Sequence, residues 1–150
     1  RTRGDFKSSV TWNSTDGTIR VVKGPEFKYL TNSEDFLDNH WKVSGDTNNM
    51  CMRLESNLIL NVDLNNMVSE AVADGTVQVT PKGPIVLLKH RQTVGGYPRC
   101  FNVIQADVDL LAQYMPGQIV RFKLVDIEDA FNAYKTMNND LKRLRDKYNS

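Results

Sequence analysis

Gly75-Thr76-Val77-Gln78-Val79-Thr80, then Pro81-Lys82-Gly83-Pro84, then Ile85-Val86-Leu87-Leu88-Lys89 is the stretch that decides the fold. The first piece alternates, with Val77 and Val79 on one face of a strand and Gln78 on the other. The four residues after it combine two prolines with a glycine and read as a turn. The last piece is a continuous apolar run, too short for a helix and suited to a buried strand. Strands are therefore predicted over 75–80 and 85–89. Gln78 could point into a barrel or a cleft, or it could face outward; alternation allows both.

Downstream, Val94-Gly95-Gly96-Tyr97-Pro98 breaks the chain and a strand resumes over 101–105. Ala106 to Tyr114 reads as a short helix stopped by Met115-Pro116-Gly117. Gln118 to Val125 alternates, which predicts a strand over 118–124. Asp126 can cap a helix over 127–147, where Ile127, Phe131, Tyr134, Leu141, Leu144 and Tyr148 recur at helical spacing. Upstream, Leu58 to Val62, Met50 to Leu54 and His40 to Ser44 are strand candidates. Thr31 to Leu37 reads as a short capped helix. Thr18 to Val22 is a strand ended by Lys23-Gly24-Pro25. Arg1 to Gly17 is a polar tail or linker, leaving 18–150 as the ordered domain. Many short strands, short helices and one long terminal helix predict a curled, mainly β domain with helices at its edge.

At 150 residues the chain fits one domain. Its 19 basic and 18 acidic residues nearly cancel, so there is no field of one sign to capture nucleic acid or an anionic membrane. No apolar run approaches the ~18 residues of a membrane helix. The N-terminal residues lack the apolar core of a secretion signal, so the expected compartment is the cytoplasm. Cys51 and Cys100 are accordingly expected as reduced thiols. Neither they nor His40 and His90 have metal-ligand spacing, so no metal is expected.

The unusual local feature is His90-Arg91-Gln92-Thr93-Val94-Gly95-Gly96-Tyr97. Two glycines let a backbone approach a ligand closely or adopt positive φ. An imidazole, a guanidinium, an amide, a hydroxyl and a phenol surround them. That set could hold a carboxylate, phosphate or amide; a bulged turn with solvated polar residues has the same composition. Asn48 and Asn49 with Arg53 could donate to a ligand or simply form a turn. Lys142, Arg143 and Arg145 are interleaved with Asp140 and Asp146 and read as a solvated helix face.

Several strings together resemble one family. They are Ile19-Arg20-Val21-Val22-Lys23-Gly24-Pro25, Ser69-Glu70-Ala71-Val72-Ala73-Asp74-Gly75-Thr76-Val77-Gln78-Val79, Pro84-Ile85-Val86-Leu87-Leu88, and Arg91-Gln92-Thr93-Val94-Gly95-Gly96-Tyr97-Pro98. Ala106-Asp107, Leu111-Ala112-Gln113, Pro116-Gly117 and Val120-Arg121-Phe122 continue the match in order. The pattern is similar to that of the biotin-dependent carboxyltransferases, also called allophanate hydrolase subunit 2. Members include the C subunit of 5-oxoprolinase, the carboxyltransferase part of urea carboxylase, and an antagonist of a sporulation-kinase inhibitor.

The resemblance implies a cyclophilin-like β-barrel. It also implies that the chain corresponds to the C-terminal half of a protein about twice as long, so apolar surface normally covered by the N-terminal half should be exposed or buried between copies. It implies a component like the C subunit of an ATP-dependent 5-oxoprolinase, or of a related amide or urea carboxyltransferase complex. The partners would be a sister protein of the B-subunit type and a small amide or lactam, with ATP or carboxybiotin acting in the whole complex. The alternative is a non-catalytic regulatory protein that binds the sister protein. On the first reading His90 and Arg91 are catalytic, and Gln78, Thr93, Gly95, Gly96, Tyr97 and Asn49 bind substrate. The chain departs from the pattern at His90, where the family has Asp, at Asn49, where it has Arg, at Cys51, where it has Gly, and at Thr80, where it has Pro. The first two replace fixed charges in a site that must stabilise developing negative charge.

Overall fold

The computed structural model describes residues 17–48, 50–64, 72–89 and 96–149. Among these residues seven strands form a closed barrel: β1 (Thr18–Lys23), β2 (Trp41–Val43), β3 (Cys51–Glu55), β4 (Thr76–Thr80), β5 (Gly83–Leu87), β6 (Arg99–Val103) and β7 (Ile119–Leu124). Around the barrel the order is β1-β6-β4-β5-β3-β2-β7, and β7 closes back on β1. Every neighbouring pair is antiparallel except β1 and β7, which run parallel with Thr18 opposite Arg121 and Val21 opposite Leu124. The barrel is therefore mixed. Among the described residues three α-helices accompany it: α1 (Ser33–Asp38), α2 (Gln105–Ala112) and α3 (Ile127–Asn149). No helix among the described residues is long and apolar enough to cross a membrane.

Alternating residues fill the barrel. Ile19 and Val21 of β1, Met52 and Leu54 of β3, Val77 and Val79 of β4, and Val120 and Phe122 of β7 belong to one continuous core. Phe36 of α1 enters that core and stacks on Phe101 and Phe122, with ring centroids 4.7 and 5.3 Å away. Trp41 packs beside it, and its indole Nε1 donates to the Phe36 carbonyl at 3.0 Å.

Three expectations are corrected. Leu58 to Val62 is not a strand; Val62 makes one isolated bridge to Leu30. The backbone there is held instead by Asn32, whose Nδ2 donates to the Ile59 carbonyl and whose Oδ1 accepts from Asn61 N–H. Asn32 precedes α1 but makes no side-chain cap, because its amide is spent on this loop. The predicted strands 85–89 and 101–105 are each displaced by two residues: β5 begins at Gly83, and β6 runs Arg99–Val103, with Gln105 already in α2. The connection from β4 is a two-residue hairpin, Pro81-Lys82, with Thr80 opposite Gly83. Gly83 has φ 135°, and a Cβ there would lie 2.5 Å from the Leu54 carbonyl oxygen, so only glycine fits.

Asp126 caps α3 as expected, accepting from Asp129 N–H at 2.7 Å. Both thiols are free, Cys51 half-buried and Cys100 buried.

Candidate functional site

The path of the chain around β4 builds the site. β5 and β6 both lie antiparallel to β4, on its two sides, so they run in the same direction. Their connection therefore joins opposite ends of the strands, as a parallel pair requires, and is not a hairpin turn. It leaves beside Gly75, whose N–H donates to the Leu87 carbonyl at 2.7 Å. It returns beside Val79, whose N–H donates to the Pro98 carbonyl at 3.0 Å. Four positions, from Gly75 to Val79, separate these points, roughly 13 Å along the strand. The glycine-containing string lies within this connection.

Gln78 lies on the outer face of β4. Its cross-strand partner Ile85 is buried yet outside the barrel core, and the core side chains of β4 are Val77 and Val79. All five residues of β4 and of β5 are buried, so both faces of this hairpin are covered. Gln78 itself is 1% exposed. Its Nε2 donates to the Tyr97 carbonyl over a long 3.5 Å, and Tyr97 keeps an exposed ring. Gly96 adopts φ 92° with open space where a side chain would be. Of the residues singled out by sequence, the structure thus joins Gln78 to Tyr97. Asn49, His90, Arg91, Thr93 and Gly95 lie outside the described residues.

The return end is anchored by two residues that sequence reasoning did not single out. Arg99 donates to Glu26 Oε1 twice, from its backbone N at 2.8 Å and from Nε at 2.9 Å. Burial disfavours the Glu26 carboxylate, but these hydrogen bonds and the Arg99 charge outweigh it and hold the carboxyl below its ordinary value. Close by, Cys100 Sγ lies 3.6 Å from the Glu26 carbonyl. Burial, with the Glu26 charge adding to it, pushes this thiol up to about 12, so it is no nucleophile at neutral pH.

The departure end opens on a groove of about 410 Å³, within the range of small-molecule pockets. Asn48, Leu88, Lys89, Asp109 and Tyr114 are among its lining residues. Asn48 is fixed as a turn, its Oδ1 accepting from the N–H groups of Met50 and Cys51. Lys89 Nζ lies 2.8 Å from Asp109, whose hydrogen bond and charge raise the lysine pKa. Asn49 and His90 are the chain neighbours of Asn48 and Lys89, so this groove is the described surface nearest to them in sequence.

A third anchor explains two of the family strings. Arg20 grips Asp107 with Nε at 3.0 Å and Nη2 at 2.7 Å, and its backbone N–H donates to the same carboxylate at 2.8 Å. The pair fastens α2 to β1 and raises the arginine pKa. No cluster of three or more candidate metal ligands occurs among the described residues.

The fold is thus a closed mixed barrel with a crossover between β5 and β6, and its strings are those of the carboxyltransferases. The chain belongs to that family: the model for the carboxyltransferase domain, subdomain A and B, matches residues 3–124. It is similar to the C subunit of 5-oxoprolinase from Escherichia coli strain K12, 34% identical over 129 residues that cover 84% of this chain and 42% of the relative. The corresponding 5-oxoprolinase protein of Haemophilus influenzae is 32% identical over 115 residues, covering 75% and 37%. The chain thus spans about two fifths of the length of these relatives. Among solved structures, the K. lactis urea amidolyase superposes with a TM-score of 0.74 at 20% identity, over 89% of this chain and 9% of that one. The Kluyveromyces lactis urea carboxylase gives 0.70 at 19%, over 82% and 12%. At these identities the two structures establish the fold alone.

Proposed function

We propose that the chain is part of a component like the C subunit of an ATP-dependent 5-oxoprolinase, or of a related amide carboxyltransferase assembly, in the cytoplasm. The observation that carries this reading is the 34% identity to that 5-oxoprolinase component across most of the chain. Within it the barrel is of the cyclophilin-like kind, and the connection between β5 and β6 supplies the chemistry. Arg91 and Thr93 orient a small amide or lactam, while Gly95 and Gly96 let backbone N–H groups face an oxyanion. Gln78 and Tyr97 shape the return of that connection, and Asn49 contacts substrate from the turn after Asn48. His90 accepts a proton only as the neutral imidazole, where the family's aspartate would stay anionic to lower pH. ATP or carboxybiotin would act in the whole complex, alongside a sister protein of the B-subunit type.

The test combines the complete protein that contains this chain with that sister protein and follows ATP-coupled opening of 5-oxoproline. Turnover that requires this protein and falls at least about 100-fold in Arg91→Ala is expected. His90→Asp should extend activity to lower pH. A stable complex with no turnover for either the native protein or His90→Asp would instead identify a non-catalytic regulatory protein. That second reading is favoured by the two lost charges at positions 49 and 90.

A further inference from the structure

Helix α3 is 23 residues long, about 34 Å, yet none of its residues is buried. It rests on α2 and β1 through a half-buried stripe that includes Ala133 and Met137. Beside that stripe runs an exposed one: Ile127, Phe131, Tyr134, Leu141 and Tyr148 are 39% to 85% exposed. Asn138 and Arg145 complete the row, so its steps alternate four and three residues from 127 to 148. Those are the steps by which a coiled-coil seam is built.

We infer that α3 pairs with α3 of a second copy of this chain in an antiparallel two-helix coiled coil. The charges choose both the partner and its direction. Residues 126–135 carry Asp126, Glu128 and Asp129 against one lysine, a net −2. Residues 140–147 carry Lys142, Arg143, Arg145 and Lys147 against two aspartates, a net +2. The helix is self-complementary only head to tail. A parallel pair would set Arg145 against Arg145 in the seam and acid against acid at the start. In the antiparallel register Phe131 meets Leu141 of the second copy and Tyr134 meets Asn138. Arg145 extends its aliphatic stem over Ile127 toward the acidic first turn. Glu128 then faces Lys142 of the second copy, twice by symmetry.

The contact would be made by the exposed parts of Ile127, Phe131, Tyr134 and Leu141 from both copies, flanked by the aliphatic stems of Lys142 and Arg145.

Sedimentation equilibrium of the complete protein that contains this chain tests the inference, with circular dichroism as the check on folding. The native protein is expected to be a dimer, and Phe131→Asp or Leu141→Asp a folded monomer, since both positions are solvent-facing in one copy. Glu128→Lys and Lys142→Glu should each weaken the dimer by about three- to tenfold. The double variant should restore it, because each reversed charge meets the other across the two-fold. A native monomer would overturn the inference, including one whose own chain covers the stripe. So would a dimer indifferent to Phe131→Asp and Leu141→Asp. A double variant no better than either single one would overturn the antiparallel pairing.

Discussion

Glu26 and Arg99 stand 73 positions apart and meet through one carboxylate oxygen. Their side chains are 14% and 17% exposed, so these charge-assisted bonds are only lightly screened. Because the folded carboxyl is depressed, its contribution is fully present above the unfolded group's titration range. It is lost as pH falls through the lower, folded value. Glu26→Gln should cost about 1–3 kcal/mol in urea unfolding at pH 7, and the acid limb of the stability profile should be shallower than in the native protein. Asp107→Asn should cost a comparable ~2–3 kcal/mol, since it leaves the Arg20 guanidinium without its counter-charge. Thiol titration separates the two cysteines: Cys51 should react with an aromatic disulfide reagent in the native state, and Cys100 only after unfolding. Sequence marked several of these residues as parts of recurring strings. It could not pair them, since nothing local in the chain says that residue 20 touches residue 107.

The strands were legible where alternation is strong. β4 and β7 fall within one residue of the ranges that their alternating valines, isoleucine and phenylalanine predict. The start of β5 was not, because glycine and proline carry turn chemistry, and only the tertiary approach of the Leu54 carbonyl places Gly83 inside the ladder. Gly83→Ala should therefore destabilise the protein by about 2 kcal/mol or more, measured by denaturant midpoint. The run from Leu58 to Val62 has a strand's composition but no neighbour to pair along its length. Asn32→Ala should cost about 1–2 kcal/mol and speed hydrogen exchange at Asn61 while leaving the barrel amides unchanged. The helical period of α3 was legible as well, but period alone does not say which side of a helix meets the domain.

Across the whole molecule the barrel and its terminal helix differ in how firmly each is built. Strand amides should exchange only with global unfolding, while those of α3 in the separated monomer should exchange earlier, since none of its residues is fully buried. For the candidate site, Gln78 meets Tyr97 at the return of the connection between β5 and β6, while positions 90–95 lie outside the described residues. The nature of that connection as a crossover was hidden, because the order of strands around the barrel is a long-range property.

The parallel closure of β1 on β7 also sets how the domain would bear a load. Gly17 enters at one rim, where its carbonyl accepts from Arg121 N–H, and Val125 leaves at the other, where its N–H donates to the Val21 carbonyl, both at 2.8 Å. Tension applied between these two points pulls neighbouring parallel strands in opposite directions along their length. The evenly spaced ladder bonds between them are then sheared together, not unzipped one by one. Pulled from residues 17 and 125, the domain should yield at a single high force. Pulled from residues 76 and 87, at the open end of the hairpin of β4 and β5, it should peel apart at a much lower one.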